Sequence, residues 1–146
     1  MTSAVCPTPR LWRERGFSIT NYFRFRRLLT QEGYRFHTSN DSELIAVYLA
    51  DRMLHGETLW DALKTSVDEL DGCFAYLFAT EDEMGSAKDP LAIKSLVAAN
   101  VGGVMAIATE EQALRQVFES ELDIDLPEPR SIYLWDRFGG VATEIV

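Results

Sequence analysis

Apolar positions recur at helical spacing through the first half of the chain and at strand spacing through the second. Tyr22, Phe25, Leu28 and Leu29 fall on one side of a helix over about residues 20–32, and Gly33 is placed to end it. Residues 34–36 form a short extended piece. Asn40 then stands as an N-cap with Glu43 in the capping-box position, opening a second helix over about residues 41–55. Leu44, Ile45, Tyr48, Leu49 and Met53 make its buried stripe, and Gly56 closes it. A third helix starts at Thr58, with Asp61 at its third position and Leu59, Ala62, Leu63, Val67 and Leu70 along one face.

From Gly72 the period shortens. Residues 73–80 are an apolar β run, residues 81–84 a turn, and residues 85–89 its continuation. Residues 95–100 and 104–109 predict a hairpin around the glycine-bearing turn 101–103. Residues 110–118 read as a helix capped by Thr109, and residues 122–129 as an acidic, proline-bearing loop. Residues 131–135 and 141–146 form a last hairpin, turning at Phe138-Gly139-Gly140. Helices first and paired strands after predict an α+β fold with antiparallel sheets, not alternating βαβ units.

Composition adds little to this until charge is considered. The 146 residues, 47% of them hydrophobic, suffice for one domain with its own core. No apolar run approaches the ~20 residues of a membrane span, so no membrane partner is expected. A net charge of −9 argues against nucleic acid as a partner. The charge is uneven: residues 1–35 hold seven Arg and two Glu, and the rest hold seven basic and 21 acidic groups. Cys6, Cys73, His37 and His55 show no CxxC or HxxxH spacing, so no metal site is expected. The N-terminus lacks the apolar core of a signal peptide, and the expected location is cytoplasmic.

Generic catalytic signatures are missing: no GxSxG, P-loop, GxGxxG or HExxH occurs. Gly102-Gly103 is a hairpin turn, since a phosphate loop needs a following helix and a Lys. Asp41 stands out among the carboxylates because it opens a helix. There it serves either as a capping acid or as a receptor for a ligand's positive charge.

Five segments, in order over about 100 residues, resemble one family. Ser18-Ile-Thr-Asn-Tyr-Phe-Arg-Phe-Arg-Arg27 is similar to the helix entry "NGEIxNYxxLR", and Phe36-His-Thr-Ser-Asn-Asp-Ser-Glu43 to "FxTxSDTE". Asp71-Gly-Cys-Phe74 is similar to "LxGxfA". Ala87-Lys-Asp-Pro-Leu-Ala-Ile-Lys-Ser-Leu96 is similar to "aRDPxGirPL", and Ala108-Thr-Glu-Glu-Gln-Ala-Leu114 to "aSExxAL". The family is the class II glutamine amidotransferase domain of the N-terminal-nucleophile hydrolases, its stand-alone and glutamate-synthase-like members in particular. The resemblance implies an αββα sandwich, two antiparallel sheets between helix layers. It also implies release of ammonia from glutamine for transfer to an acceptor, with no cofactor. In that family an N-terminal Cys attacks the side-chain amide, its own α-amine acting as base, and an Asn-Gly pair supplies the oxyanion hole. The motif's Asp binds the α-amino group of glutamine. That role falls on Asp41, with Asn40 beside it.

The departures lie at the front. The family's Asn-Gly falls on Gly16-Phe17, degenerate oxyanion-hole positions with no amide side chain. The family's nucleophile and a carboxylate-binding Arg belong upstream of the first matching block, and neither Cys6 nor an exposed Thr2 takes that nucleophile's place. Residues 1–17 are therefore read as a basic tail outside the likeness, and residues 18–146 as a partial domain short at its front. Ammonia release is not expected of the chain as it stands. The alternative is a non-catalytic remnant or a pairing subunit of an amidotransferase or glutamate synthase complex. Missing strands would leave residues 74–78 and Ile107 partly uncovered, which predicts self-association or a partner strand.

Overall fold

Each apolar stripe needs a surface to bury against, and the described residues supply two larger sheets and a short strand pair for four helices. The computed structural model describes residues 18–118, 121–138 and 140–146. Strand β1 (Ser18–Ile19) leads into helices α1 (Tyr22–Gln31), α2 (Asp41–Leu54) and α3 (Leu59–Glu69). Strands β2 (Gly72–Cys73), β3 (Ala75–Ala79), β4 (Glu83–Lys88), β5 (Val97–Val101) and β6 (Val104–Ala108) follow. Helix α4 (Glu111–Val117), β7 (Ile124–Asp125), β8 (Ser131–Asp136) and β9 (Val141–Ile145) complete the order.

The strands form an antiparallel sheet β3-β4-β8-β9, a second β6-β5-β7 and a small β1-β2 pair. Alternation divides the first sheet into two faces. Phe74, Tyr76, Phe78, Ala87 and Ile132 join Leu44, Ile45, Tyr48, Leu49, Leu63 and Val67 in one core under the helices. Burying each of these larger side chains is worth about 1.5–3 kcal/mol. On the other face Ser86, Lys88, Ser131, Tyr133 and Trp135 are also buried. The Lys88 ammonium donates to the Pro127 carbonyl at 2.8 Å, and the Tyr133 hydroxyl donates to Asp125 at 2.8 Å, joining β8 to β7. Leu114 of α4 meets Val97, Ala99 and Leu122 on the outside of the second sheet. The layers therefore run helix, sheet, sheet, helix, the αββα order.

Several expectations need correction. Residues 74–78 are mostly covered, with Phe74, Tyr76 and Phe78 fully buried beneath the helices, whereas Leu77 and Ile107 are half-buried, as the partly uncovered faces required. Residues 81–84 are not all turn, because Thr80 and Glu83 bond across two residues and β4 begins at Glu83. Residues 122–129 include β7, since Ile124 packs into the second core and pairs with Ala99. Glu110, not Thr109, precedes α4, without a side-chain cap. The β5–β6 turn narrows to Gly102-Gly103, whose φ values of +60° and +85° suit a two-residue hairpin.

Candidate functional site

Asp41 is the first residue of α2, half-buried, where free backbone N–H groups and the helix dipole favour a negative charge. Its Oδ2 accepts the Ile19 N–H at 3.1 Å, a bond across 22 residues from β1. Asn40 is the N-cap residue, in extended conformation, but its side chain makes no capping hydrogen bond. Glu43 does not close a capping box on Asn40. Instead it reaches back along the entering loop, accepting the N–H groups of His37 at 2.6 Å and Thr38 at 2.7 Å. Burial alone would raise the Glu43 carboxyl, but those N–H groups, the Thr38 hydroxyl and the nearby His37 outweigh it. The carboxyl titrates below its ordinary range.

Arg26 holds the same loop from α1. Its guanidinium donates to the Thr38 carbonyl at 2.6 Å and to the Tyr22 hydroxyl, and lies 4.8 Å from the Phe36 ring centre. The Asn40 N–H donates to the Thr38 hydroxyl at 3.3 Å, so the loop turns directly into α2.

The donor to Asp41 is itself pinned. Ser18 pairs with Cys73 and Ile19 with Gly72. Gly72 has φ +137°, and a Cβ there would lie 1.9 Å from the Ser18 carbonyl oxygen, so no side chain fits. The Asn21 amide donates to the Glu69 carbonyl at 2.8 Å and accepts the Asp71 N–H at 3.2 Å. Thr20 N–H donates to the Asp71 carbonyl at 2.7 Å. Further along, the fully buried Asp89 accepts N–H groups from Phe74, Leu91 and Ala92 at 2.9, 2.7 and 2.9 Å.

The structure thus brings Asp41 and Asn40 together at one helix end. Gly16 and Phe17 lie outside the described residues, as do Thr2 and Cys6. Sequence reasoning placed Arg26, Asn21 and Asp89 in matched motifs without giving any of them a role. The Glu69 carbonyl and Asp71 N–H on Asn21, the Thr38 carbonyl on Arg26 and the Phe74 N–H on Asp89 lie 12 to 50 residues away, which no spacing reveals.

Two other places hold polar groups together. Glu32, Asp51 and His55 approach one another at the C-terminal ends of α1 and α2. His55 stands 3.3 Å from the Asp51 carboxylate, four residues apart on one helix, and that charge and the Asp51 carbonyl raise its pKa. At ~1.5 Å per residue this end of α2 is about 20 Å from Asp41. Between the sheets lies a cleft of about 420 Å³, lined in part by Asn100, Asp123, Asp125, Tyr133 and Thr143. None of the predicted site residues borders it. Among the described residues no helix is long and apolar enough to cross a membrane.

Comparison with known proteins bears on this geometry. The glutamine amidotransferase domain family matches residues 16–116, more than two thirds of the chain. A Methanothermobacter thermautotrophicus protein assigned as a glutamine amidotransferase is 40% identical over 116 residues, 79% of this chain and 38% of its own. A glutamine amidotransferase-like protein of Rhizobium meliloti is 38% identical over 121 residues, 82% of this chain and 40% of its own. The chain therefore spans well under half the length of these curated relatives. The solved structure of a Bacillus subtilis glutamine phosphoribosylpyrophosphate amidotransferase, complexed with ADP and GMP, superposes with a TM-score of 0.76 at 25% identity. It covers 95% of this chain, which spans 31% of that one. On the family match, the ordered motifs and the αββα layers together, the chain belongs to the glutamine amidotransferase domain family, with the class II, N-terminal-nucleophile hydrolase fold.

Proposed function

We propose that this chain supplies the glutamine-recognition side of a class II amidotransferase, with Asp41 receiving the α-ammonium of glutamine and Asn40 beside it. The observation that carries this is the state of Asp41. It opens a helix, and its one hydrogen bond among the described residues goes to the Ile19 N–H, through Oδ2. A half-buried carboxylate with accepting capacity left over suits an ammonium, because charge-assisted hydrogen bonds are about twice as strong as neutral ones. We assign residues 18–146 to this domain, together with Gly16 and Phe17, at which the family match begins. No residue of the 146 matches the family's nucleophile, so the chain by itself is proposed to bind glutamine without hydrolysing it.

The test is a titration of the ¹⁵N-labelled chain with L-glutamine beside a coupled ammonia assay. Saturable shifts around Ile19 and Asp41, lost in Asp41→Asn, with no ammonia above background, are the expected result. Ammonia release that Asp41→Ala abolishes would refute the inactive reading, and shifts unaffected by Asp41→Asn would refute the assignment of Asp41.

A second reading, a non-catalytic pairing subunit, is favoured by one feature. The outer edge of β3 meets no strand among the described residues. A strand from a synthase subunit or a second copy would extend the sheet there. Sedimentation of the chain alone and with candidate synthase subunits tests it, and a monomer that captures neither refutes it.

A further inference from the structure

Arg26 is costly to account for as a surface cation. Among the described residues it forms no ion pair, although the chain carries a net charge of −9. Its guanidinium is used instead on neutral groups: the Thr38 carbonyl, the Tyr22 hydroxyl, the Phe36 ring at 4.8 Å and the Tyr22 ring at 5.7 Å. Such use is geometric. A planar fork that stacks on one ring while donating in its own plane fixes where the carbonyl must be, which a Lys ammonium does not.

The carbonyl it fixes belongs to Thr38, whose N–H is held by Glu43 at 2.7 Å from α2. Both hydrogen-bonding groups of this one residue are therefore clamped, by α1 on one side and by α2 on the other. The Thr38 hydroxyl accepts the Asn40 N–H at 3.3 Å, and Asp41 follows. The clamp thus sets the path of residues 36–40 and the angle at which Asn40 and Asp41 are presented.

We propose that Arg26 is a positioning residue for the Asp41 site, acting through Thr38. This rests on the reading of Asp41 as the glutamine-ammonium receptor. The experiment separates the two. Amide exchange and L-glutamine binding are measured by NMR on the 146-residue chain, well below its unfolding temperature. Arg26→Met keeps the aliphatic stem and removes the fork. It is expected to speed exchange of the Ile19 amide, the donor to Asp41, about tenfold and to weaken glutamine binding about fivefold. Leu49 and Ala50 amides in the middle of α2 should exchange as in wild type. Arg26→Lys should recover less than half of either effect. Leu29→Ala, which opens the core beneath α1 and is a partner in none of the Arg26, Thr38 and Glu43 hydrogen bonds, should lower Tm and leave both readouts unchanged. If Leu29→Ala moves them as Arg26→Met does, the role is merely structural and the proposal falls. It also falls if Ile19 exchange and glutamine affinity in Arg26→Met match wild type. Should wild-type chain fail to bind glutamine, or Asp41→Asn bind it equally, the Asp41 reading fails, and the Ile19 exchange rates alone then decide the role of Arg26.

Discussion

Asp89→Ala is predicted to be the most destabilising truncation of a polar side chain in this fold. The carboxylate is wholly buried, and its Oδ2 accepts the Phe74 N–H at 2.9 Å while Oδ1 accepts those of Leu91 and Ala92 at 2.7 and 2.9 Å. Alanine takes the carboxylate from all three donors, of which Ala92 keeps a second acceptor, the backbone carbonyl of residue 89 at 3.3 Å. The Phe74 N–H is buried and costs about 1–3 kcal/mol when unpaired, and the Leu91 and Ala92 N–H groups, nearer water, cost about 0.5–1 kcal/mol each. The total is about 2–5 kcal/mol, a large share of the ~5–15 kcal/mol that holds a domain together. Asp89→Asn keeps one acceptor and turns an NH₂ toward the remaining donors, so about half of that loss is expected. Urea unfolding followed by far-UV circular dichroism reads both variants: a lower midpoint with an unchanged slope is the predicted pattern. A loss for Asp89→Ala below about 1 kcal/mol would refute the reasoning, because three charge-assisted bonds cannot be worth so little if they form as described.

Gly72→Ala should cost about 2–4 kcal/mol or prevent the β1–β2 pairing outright, since φ is +137° and the new Cβ would lie 1.9 Å from the Ser18 carbonyl oxygen; an unchanged Tm would contradict this. Ala92 stands at φ +50°, where the matched motif carries Gly. Ala92→Gly should therefore raise stability by about 0.5–1 kcal/mol, strain relief exceeding the entropy glycine adds to the unfolded chain, and a lower urea midpoint would refute it. The Glu43 carboxyl titrates below its ordinary range in the folded chain, so its stabilising effect is present above the unfolded pKa near 4.5 and is lost as pH falls through the folded value. Wild type should exceed Glu43→Gln in stability at pH 6, and the difference should shrink in urea melts below pH 4. A difference that stays constant across that range would remove Glu43 from the account.

How legible this was depended on the range of each interaction. The helix stripes were readable because residues three and four apart share a face whatever lies opposite: Leu44, Ile45, Tyr48 and Leu49 are all buried as expected, although Leu28 of the α1 stripe is exposed. The Thr58–Asp61 cap was readable for the same reason, and Asp61 N–H does donate to the Thr58 hydroxyl at 3.1 Å. Strand β7 was not, because two residues become a strand only when Ala98 and Ala99 are beside them. The cover over residues 74–78 was underestimated because missing strands were weighed without the helices α2 and α3, which fill one face of that sheet. The capping-box spacing of Asn40 and Glu43 was present, yet Glu43 found two N–H donors in the preceding loop in place of one at the cap. Asp41 was identified through resemblance; its bond to Ile19 could not be, because the donor is a backbone group 22 residues away.

Asp41 and Asp61 show why a helix-opening acid is not by itself a site. Asp61 sits at the start of α3 and is consumed there: its N–H goes to the Thr58 hydroxyl, which donates back to its carboxylate at 2.7 Å. That reciprocal pair satisfies the helix end and is complete within four residues. Asp41 has the same helix dipole and no such partner, because the Asn40 side chain makes no cap bond and the Glu43 carboxylate is turned away. Its carboxylate is oriented instead by an N–H on β1. That N–H stays in place because Gly72 lets β2 approach and because Asn21 ties α1 to the end of α3. A cap needs none of this long-range support, whereas a group that must meet a ligand at a fixed angle does. The elements that position Asp41 are thus tied to one another by contacts between groups distant in sequence, and on that physical ground the proposed ligand-binding role of Asp41 is preferred to the capping one.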